Sequence, residues 1–131
     1  MYSKDMLIGI ILSSFVLEIR INKDKKLAIG YRTTVSLVAR GNLEWLNAIK
    51  RSLLQHEITS KLNTKESKNR PSPLLRISSI KNLTKVKTLL KDLPSRNFKT
   101  NQFNELVDLI ANKRHLTLNG FDTILKLKGV I

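Results

Sequence analysis

The sequence predicts an α+β domain, an antiparallel sheet covered by helices, and three observations predict it. Apolar residues alternate with polar ones over residues 15–37 and again between 58 and 80, the two-residue period of half-buried strands. Around these stretches the apolar spacing changes to three and four, the period of helices. The changes coincide with caps and breakers: Asn42, Pro71, Pro73, Pro94 and Thr117. The order is α-β-β-α-β-β-α followed by two more helices. Strand pairs kept apart from helices in this way place the helices on one sheet face.

The first helix runs from about Ser3 to Ser14. Asp5 suits its positive end, Leu7, Ile10 and Ile11 form one stripe, and Gly9 and Ser13 lie four apart on another face. The first strand turns Phe15, Leu17, Ile19 and Ile21 one way and Glu18, Arg20 and Asn22 the other. A polar turn over Asn22–Lys26 leads to a second strand. Its inward residues are Leu27, Ile29, Tyr31, Thr33, Val35 and Leu37, and its outward ones Arg32, Thr34, Ser36 and Arg40. The hairpin so formed has one apolar and one solvated side. Asn42 caps a second helix, striped by Trp45, Leu46, Ile49, Leu53 and Leu54 and ending near His56.

A second strand pair falls between Ile58 and Ile80. Lys61, Asn63 and Lys65 share one parity of its first strand, and Arg76 and Ser78 one parity of its second. The connection through Lys68, Asn69 and Arg70 is long, basic and broken by proline. Leu83, Val86, Leu89, Leu90 and Leu93 stripe a third helix stopped by Pro94. Phe103, Leu106, Val107 and Ile110 stripe a fourth, and Phe121, Ile124 and Leu125 a short fifth capped by Thr117. There is no internal repeat, and 131 residues suit a single domain over 1–131.

Charge narrows the function. The chain has 24 Lys+Arg against 10 Asp+Glu, a net charge of +14. That excess favours phosphate backbones or an anionic membrane surface. The membrane is the weaker partner, because the basic residues are spread over strands and no helix has the charged face that surface binding needs. The longest apolar run, Met6–Leu17, is interrupted by Gly9, Ser13 and Ser14 and is too short to span a bilayer. It is also a poor secretion signal: Asp5 precedes it, and it passes into strand with no cleavage-like break. With no cysteine, disulfides and thiolate metal sites are excluded. His56 and His115 are too far apart to read as a metal pair.

The opening Leu7-Ile8-Gly9-Ile10-Ile11-Leu12-Ser13-Ser14-Phe15 resembles the LAGLIDADG homing endonuclease family, and most closely its organellar branch, whose motif reads like IGxLLGDG. Asn42-Leu43-Glu44-Trp45-Leu46 at the second helix adds to the likeness. So does Asn112-Lys113-Arg114-His115-Leu116-Thr117-Leu118-Asn119-Gly120-Phe121, which is similar to that branch's NKxHLTxxGL ending. The resemblance implies a saddle-shaped antiparallel sheet in the DNA major groove. It also implies two motif helices packed at the centre, each delivering one acid to a divalent metal. At that acid's position this chain has Ser14, followed by Phe15 in place of glycine; Leu12 replaces the other aspartate of the longer motif.

Metal-assisted hydrolysis needs hard anionic oxygens, and a serine hydroxyl is neutral. Glu18 is the nearest carboxylate, roughly 10 Å along the strand at ~3.3 Å per residue. By the resemblance, Lys99 is the remnant of a basic residue near the site. The resemblance also implies polar water-positioning residues near Ala39 and Leu43, two positions that are themselves apolar. The dimer surface is expected at Ile8, Gly9, Leu12 and Ser13, where the small Gly9 and Ser13 allow two helices to approach closely. Nucleic-acid contacts are expected from Arg20, Arg32, Thr34, Ser36, Arg40, Lys61, Asn63, Lys65, Arg76, Ser78 and Lys99. Guanidinium, amide and hydroxyl groups read base edges, and lysines attract phosphate.

The expected protein is therefore derived from a homing endonuclease and binds DNA or structured RNA without cutting it. It acts as a homodimer or within a larger ribonucleoprotein, with no cofactor. One alternative is an active endonuclease, which alone would need Mg²⁺. Another is an RNA-binding maturase or a mitochondrial ribosome component, since scattered Lys and Arg suffice for A-form RNA. The resemblance and a Met1 close to the motif helix point to an organelle, the mitochondrial matrix first.

Overall fold

The computed structural model describes residues 2–64, 72–91 and 98–128, with the side chains of all but 98–100. In chain order the elements are α1 (Lys4–Ser14), β1 (Val16–Lys23), β2 (Tyr31–Arg40), α2 (Leu43–Leu54), β3 (Lys61–Asn63), β4 (Leu74–Ile77), α3 (Ile80–Leu90), α4 (Phe98–Ala111), a 3₁₀ turn over Arg114–Leu116, and α5 (Leu118–Lys128). The strands form one sheet in the order β1-β2-β4-β3. This is the α+β order read from the sequence. The chain gathers into two compact units, Met1–Glu18 with Ser36–Asp92 and Ile19–Val35 with Leu93–Ile131.

In the first unit each helix start is satisfied by a side chain, as the unpaired N–H groups of a first turn require. Ser3 Oγ accepts from Met6 N at 3.3 Å, Asn42 Oδ1 from Trp45 N at 2.8 Å, and Ser79 Oγ from Asn82 N at 3.3 Å. The apolar stripes converge: Leu7, Ile11 and Phe15, Leu46, Ile49 and Leu53, and Leu83 and Val86 are all buried, with the strand residues Leu37, Leu75 and Ile77. Asn82 ties the start of α3 to the segment before β3. Its Nδ2 donates to Thr59 Oγ1 at 2.8 Å, and its Oδ1 accepts from Thr59 N at 3.1 Å. Leu54, expected in the α2 stripe, is 49% exposed, because the helix ends there and Ser52 faces inward instead. The second strand pair is also shorter than its alternation suggested; β3 holds three residues, and Ile58 is buried ahead of it.

In the second unit, α4 buries Phe103, Leu106 and Val107, and α5 buries Phe121 and Ile124. The Phe121 ring stacks on Tyr31, centroids 5.5 Å apart. Thr117 is the hinge between them. Its Oγ1 donates to the Arg114 carbonyl at 2.7 Å and accepts from Gly120 N at 3.1 Å. A Cβ on Gly120 would lie 1.8 Å from the Arg114 carbonyl oxygen, so only glycine fits. The residues of the C-terminal motif are thus accounted for by a tight turn.

The β1–β2 connection departs from expectation. Leu27 and Ile29 lie in turns over 24–30, and β2 begins only at Tyr31. Asp24 is the reason: its Oδ1 accepts from Lys26 N at 3.0 Å, an Asx-turn that competes with strand pairing. Gly30, at φ +79°, then closes the loop with Asp24 N bonded to its carbonyl at 2.9 Å. Lys65, Lys68, Asn69, Arg70, Leu93 and Pro94 lie outside the described residues.

Candidate nucleic-acid interface

Two places in the first unit hold the chemistry singled out above. One is the foot of α1. Ser13 Oγ donates to the Ile10 carbonyl at 3.5 Å and shares a 3.2 Å hydrogen bond with Ser14 Oγ. Phe15, which follows, is fully buried and caps the helix through its N–H to the Ile11 carbonyl. The foot therefore presents two neutral hydroxyls that bond each other. Among the described residues no group of three or more His, Asp or Glu converges to hold a metal ion. Mg²⁺ demands anionic oxygens, and this donor set does not fit it.

Further up α1, a Cβ on Gly9 would meet nothing within 4 Å. Gly9 and Ser13 are exposed and Leu12 half-buried. Ile8, expected on the same outward face, is only 7% exposed and belongs to the chain's own core. The reason is angular: Ile8 stands one turn from Ile11 and beside Leu7, on the buried stripe.

The second place is the outward face of the sheet. β2 and β4 pair with Val38 opposite Arg76 and Arg40 opposite Leu74, and β3 continues the rows with Lys61 opposite Arg76 and Asn63 opposite Leu74. Directly opposed residues share a face, so Arg40, Arg76, Lys61 and Asn63 stand together as their parity required. Glu18 joins them, its two carboxylate oxygens 3.6 Å from Arg40 Nη2 and 3.9 Å from Arg76 Nη2. This face is not wholly solvated. Val38 and Leu74 are on it and buried, and Ser36, expected outward and wet, is 6% exposed. Val38 is flanked by the stems of Arg76 across the ladder and Arg40 two residues on; long basic side chains cover apolar surface while their heads stay wet.

The remaining candidates sit apart. Arg20 and Thr34 are exposed residues of the second unit, as is Arg32. Arg32 Nε is held by Asp24 Oδ2 at 2.9 Å. The Asp24 carboxyl is lowered below the usual carboxylate range, first by the Lys26 N–H and then by the Arg32 side chain. Ser78 is exposed at the end of β4; Lys99 belongs to α4, its side chain outside the described residues, as is all of Lys65. In the C-terminal turn, burial lowers the His115 pKa against the opposing hydrogen bond to Leu109. The His115 Nδ1 has no hydrogen-bond partner.

Two features were not foreseen as parts of an interface: the ties of Glu18 to Arg40 and Arg76, and that of Asp24 to Arg32. Parity put Glu18 on the basic face, which was the available signal, but no local pattern ties β1 to residues twenty-two and fifty-eight positions away. A third feature is a groove of about 400 Å³ lined by Lys4, His56, Glu57, Lys85, Thr88 and Leu89. There Lys85 Nζ donates to the Glu57 carbonyl at 2.7 Å, and Glu57 takes a left-handed φ of 61°. Among the described residues no helix is long and apolar enough to cross a membrane.

No protein-family model matches the sequence, and no curated protein does. Solved structures do. The homing endonuclease I-TnaI superposes with a TM-score of 0.79 at 17% identity, over 96% of this chain and 85% of that one. The archaeal intron-encoded homing endonuclease I-Vdi141I, complexed with DNA, gives 0.77 at 19% identity over 95% and 78%. The LAGLIDADG homing endonuclease I-SmaMI, bound to cleaved DNA, gives 0.79 at 21% identity over 98% of this chain but 43% of its own. The chain thus spans less than half the length of some of these proteins and most of others. It has the LAGLIDADG homing endonuclease fold.

Proposed function

We propose that this chain belongs to the LAGLIDADG homing endonuclease family as a nucleic-acid-binding protein that does not cut, its two compact units working as one domain over 1–131. The observation that carries this reading is the foot of α1, where Ser13 and Ser14 bond each other and Phe15 is buried behind them. A neutral hydroxyl pair cannot replace the anionic oxygens of a metal-dependent phosphodiesterase. Glu18, the nearest acid in sequence, is engaged by two guanidiniums. Grip is supported by the +14 charge, by the basic face of the sheet, and by neighbours of the same fold that are bound to DNA. No cofactor is needed for such a role.

The open face at Gly9 and Ser13 supports pairing with a second copy, since a Cβ at Gly9 meets nothing within the chain. A larger ribonucleoprotein and an organellar location belong to the same proposal but rest on the sequence alone. The test is a gel-shift on duplex DNA and structured RNA, run beside a plasmid-nicking assay with Mg²⁺. Duplex binding without nicking is expected. Nicking that disappears in Glu18→Ala would instead establish an active enzyme with an unorthodox acid. Equal weak binding to both nucleic acids would favour assembly into a larger particle.

A further inference from the structure

Glu18 is out of place on a face that meets phosphates. Among the described strand residues of the first unit it is the only acid, and it sits in the middle of the basic cluster. A carboxylate beside a phosphate backbone is repelled by it. Beside base edges the same carboxylate is useful, since it accepts from the exocyclic amine of cytosine, while arginine bonds the O6 and N7 of guanine bidentately. One acid between two guanidiniums therefore complements G·C pairs as it complements no stretch of backbone.

The geometry fits that use. Arg40 and Arg76 occupy diagonal positions of the β2–β4 ladder, ~7–8 Å apart, about two base-pair rises at ~3.4 Å each. Their heads are drawn together by a shared carboxylate whose two oxygens face one guanidinium each. The side chains remain 38% and 21% exposed, and the cluster shares its face with Val38 and Leu74, which are buried. A planar fork held by a shared carboxylate loses little freedom on binding, and a guanidinium has five N–H donors to share.

We infer that Glu18, Arg40 and Arg76 form a base-reading cluster for a G·C-containing step in the major groove of duplex DNA, with Glu18 as the positioning residue for both arginines. This rests on the reading above that the face binds nucleic acid, and it assigns the duplex over RNA. The major groove of an A-form helix is too deep and narrow for side chains to read, so in RNA the Glu18 carboxylate would meet phosphates.

The experiment is selection from a pool of duplex DNA with a randomised segment, using the full chain and its Glu18→Gln and Arg76→Lys variants. Structured RNA is added as competitor, and thermal melting checks each fold. The wild-type chain is expected to enrich G·C pairs at neighbouring positions. Glu18→Gln should bind unselected duplex more tightly, having lost a negative charge, yet discriminate against a mismatched site about tenfold less well. Arg76→Lys keeps the charge and lacks the fork, so it should hold its affinity for unselected duplex and lose preference at one position. A purely structural ion pair would shift melting and leave the selected sequence alone. Undiminished discrimination in both variants, a selected site without G·C, or RNA outcompeting the duplex overturns the inference. Binding to neither nucleic acid overturns the functional reading beneath it.

Discussion

The foot of α1 and the outward face of β2 and β4 handle charge in opposite ways, though Glu18 follows Ser14 by only four residues. At the foot, two hydroxyls satisfy each other and a fully buried phenylalanine closes the helix. On the strands, one carboxylate is bracketed by two guanidiniums on a face shared with buried apolar residues. The first arrangement has no charge to offer a metal. The second concentrates charge in an ordered form suited to a polyanion. The proposal that this chain grips without cutting rests on that difference in where the acid stands.

The largest expected effect tests how firmly the foot is closed. Phe15→Gly would bring the position nearer to the family motif but removes a fully buried ring. It should cost about 4 kcal/mol, out of the roughly 5–15 kcal/mol typical of a domain. Chemical denaturation measures this. A loss below about 1 kcal/mol would mean that the foot tolerates a change towards the LAGLIDADG motif.

Gly9→Leu separates the foot from its proposed partner. Because a Cβ at Gly9 meets no atom of the chain, the monomer should fold and even gain about 0.8 kcal/mol of helix propensity. In equilibrium sedimentation the variant should run as a 15.0 kDa species, with the wild-type chain at twice that mass. An unchanged mass would remove α1 from the interface.

Ser14→Asp asks for a smaller response. An acid in the last residue of α1 opposes the helix dipole and should cost about 0.5 kcal/mol. Mg²⁺ should then raise the melting temperature of the variant while leaving that of the wild-type chain unchanged. Equal responses of the two to Mg²⁺ would show that the foot already holds a cation site.

The smallest effect is expected on acidification, and it extends the comparison to a second acid paired with an arginine. The Asp24 carboxyl is lowered by the Lys26 N–H and by Arg32, so the folded state binds its proton less readily than the unfolded state. Its stabilisation is complete above the ordinary carboxylate value of 3.8 and is lost as pH falls through the lowered one. His115, lowered chiefly by burial from 6.5, acts in the same direction but earlier, its contribution fading as pH drops below its ordinary value. In an NMR pH titration the Lys26 amide should shift only at the acid end, and Asp24→Asn should remove that transition.

Much of the fold was legible because the signals were local. Asn42 and Thr117 bond N–H groups within three residues of themselves, and the buried Leu7, Ile11, Leu46, Ile49, Leu53, Leu83 and Val86 needed only the helical period. Where the reading failed, a distant or competing contact was involved. Leu27 and Ile29 alternate like a strand, but the Asp24 side chain holds the backbone in turns. Ser36 has outward parity and is nevertheless buried, on a strand interior to the sheet order. Ile8 looked like its neighbour Gly9 in a motif but, about 100° round the helix from it, fell on the buried side.

By itself the sequence determined the order of elements, the excess of positive charge, and the absence of a carboxylate at Ser14, since these are properties of composition and short-range periodicity. The tertiary structure alone decided that Glu18 answers to Arg40 and Arg76, and that Gly120 must press against the Arg114 carbonyl. The reason is the reach of the forces involved. Caps and stripes act over a turn or two of chain, whereas an ion pair between strands exists only once pairing has brought residues far apart in sequence to within 4 Å.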